Sequence, residues 1–295
     1  MFVCSPKANK WTAPFSIHQK GYLMQGICFT KAMASGNDFI IIDNIGAELS
    51  ELNLDYSLIA RDLCRRKLSV GADGVLILEK SSAADFRMRI INPDGSEVDM
   101  CGNGLRCSAL YASTRGRGDK LTIETRAGIL EAEITRRVVK IKMSTPKDLK
   151  LDINLGVGAN ILKVHHINTG VPHVVHIVEN IENYQVKKIG REIREHSVFA
   201  SRGTNADFVG DIEKHYARIR TYERGVEDET LACGTGIVAS AVILGLLGRV
   251  VSPVKLRTQS GEVVAVHFNI SEKKVTDVYL EGEAKIVSEG KVIGL

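Results

Sequence analysis

Two short runs carry the chemistry of this chain: Met100-Cys101-Gly102-Asn103-Gly104 and Ala232-Cys233-Gly234-Thr235-Gly236. In each, a cysteine stands directly before a Gly-x-Gly that opens an apolar, helix-like stretch. The first turn of a helix leaves backbone N–H groups unpaired and carries partial positive charge, so a sulfur there is placed to lose its proton easily. One such cysteine would suggest a nucleophile. Two, 132 positions apart in a chain of 295 residues, suggest opposed acid/base groups acting on one substrate.

The sequence around the two cysteines repeats with them. Gly36-Asn37-Asp38-Phe39-Ile40-Ile41 answers to Gly170-Val171-Pro172-His173-Val174-Val175, an offset of 134. Ser69-Val70-Gly71 answers to Ser201-Arg202-Gly203 at 132, and Met88-Arg89-Ile90 to Ile219-Arg220-Thr221 at 131. Beyond each cysteine, Thr125-Arg126-Ala127-Gly128 matches Thr258-Gln259-Ser260-Gly261 at 133. Anchors in one order at nearly constant offset predict a duplicated domain, not an array of short repeats.

The elements that must position the cysteines follow from local patterning. Phe39–Ile42 and Val75–Leu78 read as short buried strands. Between them Tyr56 to Arg66 reads as a helix with Asp55 as its N-cap, and Val186 to Glu195 is its counterpart in the second half. The helix after Cys101 presents Leu105, Ala109 and Ala112, whereas the one after Cys233 is apolar almost all round and must be buried. Gly245 and Gly248 suit its end. Leu121–Ile134, Val138–Met143 and Val254–Phe268 read as strands and hairpins. The fold predicted is mixed α/β (α+β), with two pseudo-symmetric domains that each wrap a barrel-like sheet around a central helix. Their expected bounds are 27–145 and 146–284, with a last strand at about 285–295 returning to the first half.

Composition bounds the function. Hydrophobic residues make up 44% and charged residues 25%, as in ordinary globular chains, and 295 residues suffice for two cores. Lys7, Lys10 and Lys20 supply three of the net +4 charges within an acid-free start, which leaves no electrostatic footprint for nucleic acid. No apolar run is long enough to cross a membrane. The six cysteines (Cys4, Cys28, Cys64, Cys101, Cys107, Cys233) include no Cys-x-x-Cys pair or zinc-type spacing, so no metal site is expected. Free thiols in a reducing compartment, hence a cytoplasmic location, are the better reading. Residues 1–26 lie outside the repeat and lack the arginines of a transit peptide, so a disordered extension or a start at Met24 is expected.

With these motifs in view, the chain from Ile27 to Leu295 resembles the diaminopimelate epimerase family. The matching runs are Gly36 to Phe39, Gly71-Ala72-Asp73-Gly74, Asn92-Pro93-Asp94-Gly95-Ser96, Met100 to Gly104, Thr204-Asn205-Ala206-Asp207-Phe208, Glu223-Arg224-Gly225 and Ala232 to Gly236. The resemblance implies that Cys101 and Cys233 are the catalytic pair. It implies that Asn37, Asn92, Asn103, Asn205, Glu223 and Arg224 hold the polar ends of the substrate, and that the backbone at Gly102, Gly234 and Thr235 binds its α-carboxylate. His173 and Glu223 would adjust thiol protonation. It implies an isomerase of lysine and peptidoglycan-precursor synthesis that uses no cofactor and works as a homodimer on a small molecule. Val171 departs from the pattern, since many relatives carry asparagine there and valine cannot hydrogen-bond.

Plainer uses of these residues stand beside that reading. Buried cysteines are usually small hydrophobes, which is how Cys64 and Cys107 read. From the residues alone, Asn37, Asn92 and Asn205 serve as turn residues, His173 serves equally as a core histidine, and the adjacent His165 and His166 are structural. Two rival functions remain. Proline or hydroxyproline racemases of the same fold typically show histidine where this chain has Asn103, and a thiol redox protein would be activated rather than inactivated by oxidation. The two-thiol reading predicts that Cys101→Ala and Cys233→Ala each abolish epimerisation while the circular-dichroism spectrum stays native. Near-normal turnover by either single variant would rule out one base per face.

Overall fold

The computed structural model describes residues 26–47, 49, 54–158, 160–200, 203–272 and 274–293. The expected N-terminal extension lies outside the described residues except for Gly26, and so do Ser201 and Arg202 of one repeat anchor.

The described strands form one continuous sheet of 18 strands. In spatial order the first half runs Lys285–Val292, Ile27–Ala34, Asn37–Asn44, Gly74–Glu79, Phe86–Ile91, Lys120–Thr125, Gly128–Thr135 and Val138–Lys142. The second runs Lys147–Val157, Asn160–Asn168, Pro172–Ile177, Asn205–Glu213, Tyr216–Glu223, Val254–Arg257, Val263–Ser271 and Lys274–Glu283. Each half has the same succession of pairings, with parallel contacts only at the third and fifth steps. The halves join where Val138–Lys142 lies antiparallel to Lys274–Glu283, with Ile141 opposite Leu280. The duplication read from the sequence is therefore present in the topology.

Side chains repeat too. Arg89 grips Glu97 with Nε and Nη2 at 2.9 and 2.8 Å, and Arg220 grips Glu229 in the same two-pronged way at 2.7 and 2.8 Å. Each pair ties a long strand to the short arm (Glu97–Val98 or Asp228–Thr230) that leads toward a cysteine. Half-buried bidentate pairs of this kind fix geometry more than they add stability.

Four α-helices, α1 (Tyr56–Leu63), α2 (Gly102–Thr114), α3 (Val186–Arg194) and α4 (Gly234–Leu246), and a short 3-10 helix at Ser197–Phe199 complete the described chain. As expected, Asp55 caps α1, accepting N–H bonds from Ser57 and Leu58. α2 and α4 are the central helices, and one apolar cluster spans both halves, running from Leu105 and Leu110 on α2 to Ile237 and Leu244 on α4. α4 ends in a Schellman motif. Gly248 sits at φ 68°, and Arg249 N–H returns to Leu244 C=O at 2.9 Å. The first hairpin turns on Ser35 (φ 51°) and Gly36 (φ 88°), a two-residue primed turn that suits the sheet's twist.

Leu280 is fully buried where the halves join. Its Cδ2 lies 3.5 Å from where a Cβ on Gly102 would stand and 3.4 Å from the same point on Gly234. One leucine thus supports the starts of both central helices. Leu280→Ala should destabilise the fold by about 2–5 kcal/mol in urea denaturation, the usual cost of a core cavity, and raise the reactivity of both cysteines toward a disulfide reagent. Unchanged thiol reactivity would show that the helix starts do not rest on this side chain.

Candidate active site

Cys101 and Cys233 are the N-cap residues of α2 and α4, both in extended conformation. The two helix starts converge: a Cβ on Gly234 would stand 3.9 Å from the Cα of Gly102. Cys101 Sγ accepts the Gly104 N–H at 3.5 Å, and Cys233 Sγ lies 3.4 Å from Thr235 Oγ1. The second glycine of each motif is required by a neighbour. A Cβ at Gly104 would press on Leu76 at 3.1 Å, and one at Gly236 would collide with the Asp207 carboxylate.

The helix position was expected to favour both thiolates. The structure reverses that expectation, because burial outweighs the N–H donors and pushes both thiols up, Cys233 well above the ordinary range. Glu223 adds to both effects, and Asp207 adds to that on Cys233. Burial also pushes the Glu223 carboxyl up. By contrast Cys64 and Cys107 are core hydrophobes, and Cys64 is pushed up to about 12 chiefly by burial.

On the second-half side a polar chain leads away from Cys233. His173 and Asp207 are wholly buried, with Nδ1 and Oδ2 2.7 Å apart, and His173 Nε2 is 2.8 Å from Thr235 Oγ1. A carboxylate at Nδ1 assigns the proton to that nitrogen, which leaves Nε2 to accept from Thr235, whose oxygen then accepts from the Cys233 thiol. Asp207 also accepts from Thr221 Oγ1 at 2.8 Å. Asn205 donates to Pro172 C=O at 3.2 Å and accepts the Arg224 N–H at 2.8 Å, so it joins the histidine strand to the Glu223-Arg224 turn.

The first-half side is built differently. Asn103 Nδ2 donates to Asn37 Oδ1 at 2.5 Å, and Asn37 Nδ2 donates to Asp73 Oδ2 at 3.3 Å. Arg66 holds Asp73 and Asp38, and Lys31 also pairs with Asp38. Val171 is half-buried, and Thr169, ahead of it in the same turn, gives its hydroxyl to Thr235 C=O at 2.9 Å. Asn92 closes its own turn, with Nδ2 3.1 Å from Ser96 Oγ. Its strand position corresponds to that of Glu223, since Ile91 pairs with Val75 as Tyr222 pairs with Ala206.

A family model described as diaminopimelate epimerase matches residues 29–148 and 165–287. The chain belongs to the diaminopimelate epimerase family. It is 39% identical over 277 residues to the diaminopimelate epimerase of Aquifex aeolicus, covering 90% of this chain and 97% of that one. It is 41% identical over 283 residues to that of Methanocella arvoryzae, covering 91% and 98%. Solved structures share the fold at low identity. A phenazine biosynthesis protein of the PhzF family from Bacillus anthracis superposes with TM-score 0.70 at 19% identity, covering 92% of this chain and all (100%) of that one. A probable proline racemase from Agrobacterium radiobacter gives 0.66 at 17%, covering 90% and 92%.

Sequence reasoning did not single out Asp207, Thr221, Asp73 or Arg106. Asp207 carried a signal, because it lies two residues from Asn205 on one strand and so faces the same way. Arg106 carried one as well, as the one charged residue of α2.

Glu223 gives a pH prediction. A carboxyl raised by the fold contributes its full stability below its unfolded value, near 4.5, and loses it as pH rises through the folded value. Replacing it by Glu223→Gln should therefore raise stability relative to the parent increasingly as pH climbs from 4.5 toward neutrality, read as urea midpoints. A difference that is flat with pH would place the ionised carboxylate in a solvated setting.

Proposed function

We propose that this chain interconverts LL- and meso-2,6-diaminopimelate by a two-cysteine acid–base mechanism, in lysine and peptidoglycan-precursor synthesis. The observation that supports this most is the meeting of two helix N-termini, each capped by a cysteine, over Leu280. Family membership supplies the substrate.

The α-carboxylate would lie between the helix starts, accepting first-turn N–H groups of Gly102, Gly234 and Thr235, which have no partner within their own helices. That placement puts Cys101 and Cys233 toward opposite faces of the α-carbon. One sulfur, as thiolate, takes the α-proton, while the other, as thiol, delivers a proton to the opposite face, and the roles exchange in the reverse direction. A single base would tend to return the proton to the face it left. The carbanion-like transition state places negative charge on the carboxylate, where preorganised N–H donors are each worth roughly a hundredfold or more in rate.

The substrate would also offset the cost of a thiolate. Its α-ammonium brings a cation between the two thiols and Glu223, which favours one thiolate. His173, with Asp207 behind it and Thr235 in front, then steadies the proton on the Cys233 side. Asn37, Asn92, Asn103, Asn205, Glu223 and Arg224 are proposed to meet the polar ends of the molecule. The spans 27–145 and 146–284 are proposed as domains that close over it, within the cytoplasmic homodimer that the family resemblance implies.

The deciding experiment is epimerisation in deuterium oxide. Deuterium should enter the α-position of LL- and meso-diaminopimelate, and proline should not exchange. Equal exchange into proline would overturn the substrate assignment. Arg224→Lys should lower kcat/KM for diaminopimelate on the order of a hundredfold, because a point charge cannot replace a planar fork on a carboxylate. A smaller loss than tenfold would remove Arg224 from carboxylate recognition.

A further inference from the structure

Arg106 stands first by volume among the described side chains that are fully buried. It lies on α2, five positions after Cys101. Sealing a guanidinium from water costs several kcal/mol unless it is paired, yet among the described residues no carboxylate forms an ion pair with it. Its Nη2 donates to Ser35 Oγ at 2.8 Å and to Asn103 Oδ1 at 2.6 Å, and its Nη1 donates to Glu283 C=O at 3.0 Å. Nε has no partner. Gly282 makes the room, since a Cβ there would collide with Nη1.

The fold does not require this arginine. At the same position after Cys233 stands Val238, buried, and α4 begins the same way. The neighbours change with it: Asn103 corresponds to Thr235, and Asn37, which follows the turn glycine Gly36, corresponds to Val171 after Gly170. One half carries the whole polar set and the other carries none of it. An arginine can only donate, so the Asn103 oxygen must face it, the Asn103 NH2 group must face Asn37 Oδ1, and the Asn37 NH2 group is left to face Asp73. Neither amide retains a second orientation.

We propose that Arg106 is a positioning residue of the active site: from within the core it fixes the Asn103 and Asn37 amides and supplies positive charge on the Cys101 side. The proposal rests on the epimerase reading of the site. The charged and titratable groups that act on these sulfurs divide unequally. Cys101 feels Arg106 from its own helix and Glu223 from the opposite hairpin, whereas the charged groups that act most on Cys233 are Glu223 and Asp207. Arg106 itself faces Cys101, Cys107 and, from the second half, Glu262. Of the two sulfurs, Cys101 is therefore the one on which a negative charge costs less once one proton leaves the pair, with Cys233 holding the other.

The test is a double-mutant cycle run beside the parent chain. Arg106→Met should lower kcat/KM on diaminopimelate on the order of a hundredfold, mainly through kcat, with little change in the circular-dichroism spectrum. If it acts through Asn103, the double variant Arg106→Met/Asn103→Ala should fall within about threefold of Asn103→Ala alone. Multiplicative losses would overturn the relay. A substrate-free readout is the rate of iodoacetamide alkylation at each cysteine, followed by peptide mapping. Arg106→Met should slow Cys101 by about tenfold or more and leave Cys233 within about twofold, and Arg106→Lys should restore Cys101. An unchanged Cys101 rate would overturn the charge assignment. Should Arg106→Met not fold, Arg106→Lys takes its place: alkylation at the parent rate with the double variant Arg106→Lys/Asn103→Ala no worse than Asn103→Ala alone supports the proposal, and any other pattern overturns it. A parent chain inactive on diaminopimelate would sink the epimerase reading alone, because alkylation still decides the role of Arg106.

Discussion

Two helices that point their N-termini at each other bring together two partial positive charges of roughly half an electron each, an arrangement that repels unless negative charge lies between them. Everything near the centre of this molecule answers to that constraint. The central helices are held in place by a shared apolar core and by Leu280 beneath both starts. The repulsion is thus offset by packing, and what remains is a set of first-turn N–H groups without helical partners, a setting that favours an anion. A carboxylate fits it, and a carboxylate whose α-carbon must lose a proton fits it better, since its negative charge grows along the reaction.

Burial works against the helix starts and makes both thiols poor acids. Helix N–H donors lower a thiol's pKa only while water or countercharge shares the work, and here burial dominates for both sulfurs. An enzyme that kept both thiolates exposed would hold reactive sulfur at no benefit. In the proposed mechanism, thiols kept protonated until a cationic amino group arrives couple activation to binding. Glu223 pushes both thiols up and so acts against a double thiolate, in keeping with the proposed mechanism, in which only one sulfur is charged at a time.

Much of this was legible in the residues. Periodicity and caps placed α1 from Asp55 onward, the all-round apolar character of α4 announced a buried helix, and the repeated anchors announced the duplication. The two cysteines were legible because Gly-x-Gly helix starts expose a sulfur to its helix. The order of strands within each half was not, because parallel contacts such as Phe86–Ile91 with Lys120–Thr125 join segments separated by a whole helix. The protonation balance was not legible either, since burial is a property of the assembled core and the motif shows only the dipole. Asp207 and Arg106 stayed hidden for a similar reason: an acid on a strand and a base on a helix look solvated until the sheet closes over them.

Duplication usually leaves two equal sites, and here it has left one site with two unequal walls. The common ancestor of the halves supplies what symmetry can supply, namely opposed helix starts and opposed sulfurs. Only one end of the substrate reacts at a time, so the site need not be symmetric, and the halves differ in chemistry at matching slots. Asparagine and threonine follow the two cysteines, a buried cation stands behind one, and a buried histidine–aspartate pair stands behind the other. On the proposed mechanism, the symmetric backbone supplies two faces for one carbon, while the side chains that broke the symmetry decide which sulfur takes the charge and how the substrate is held.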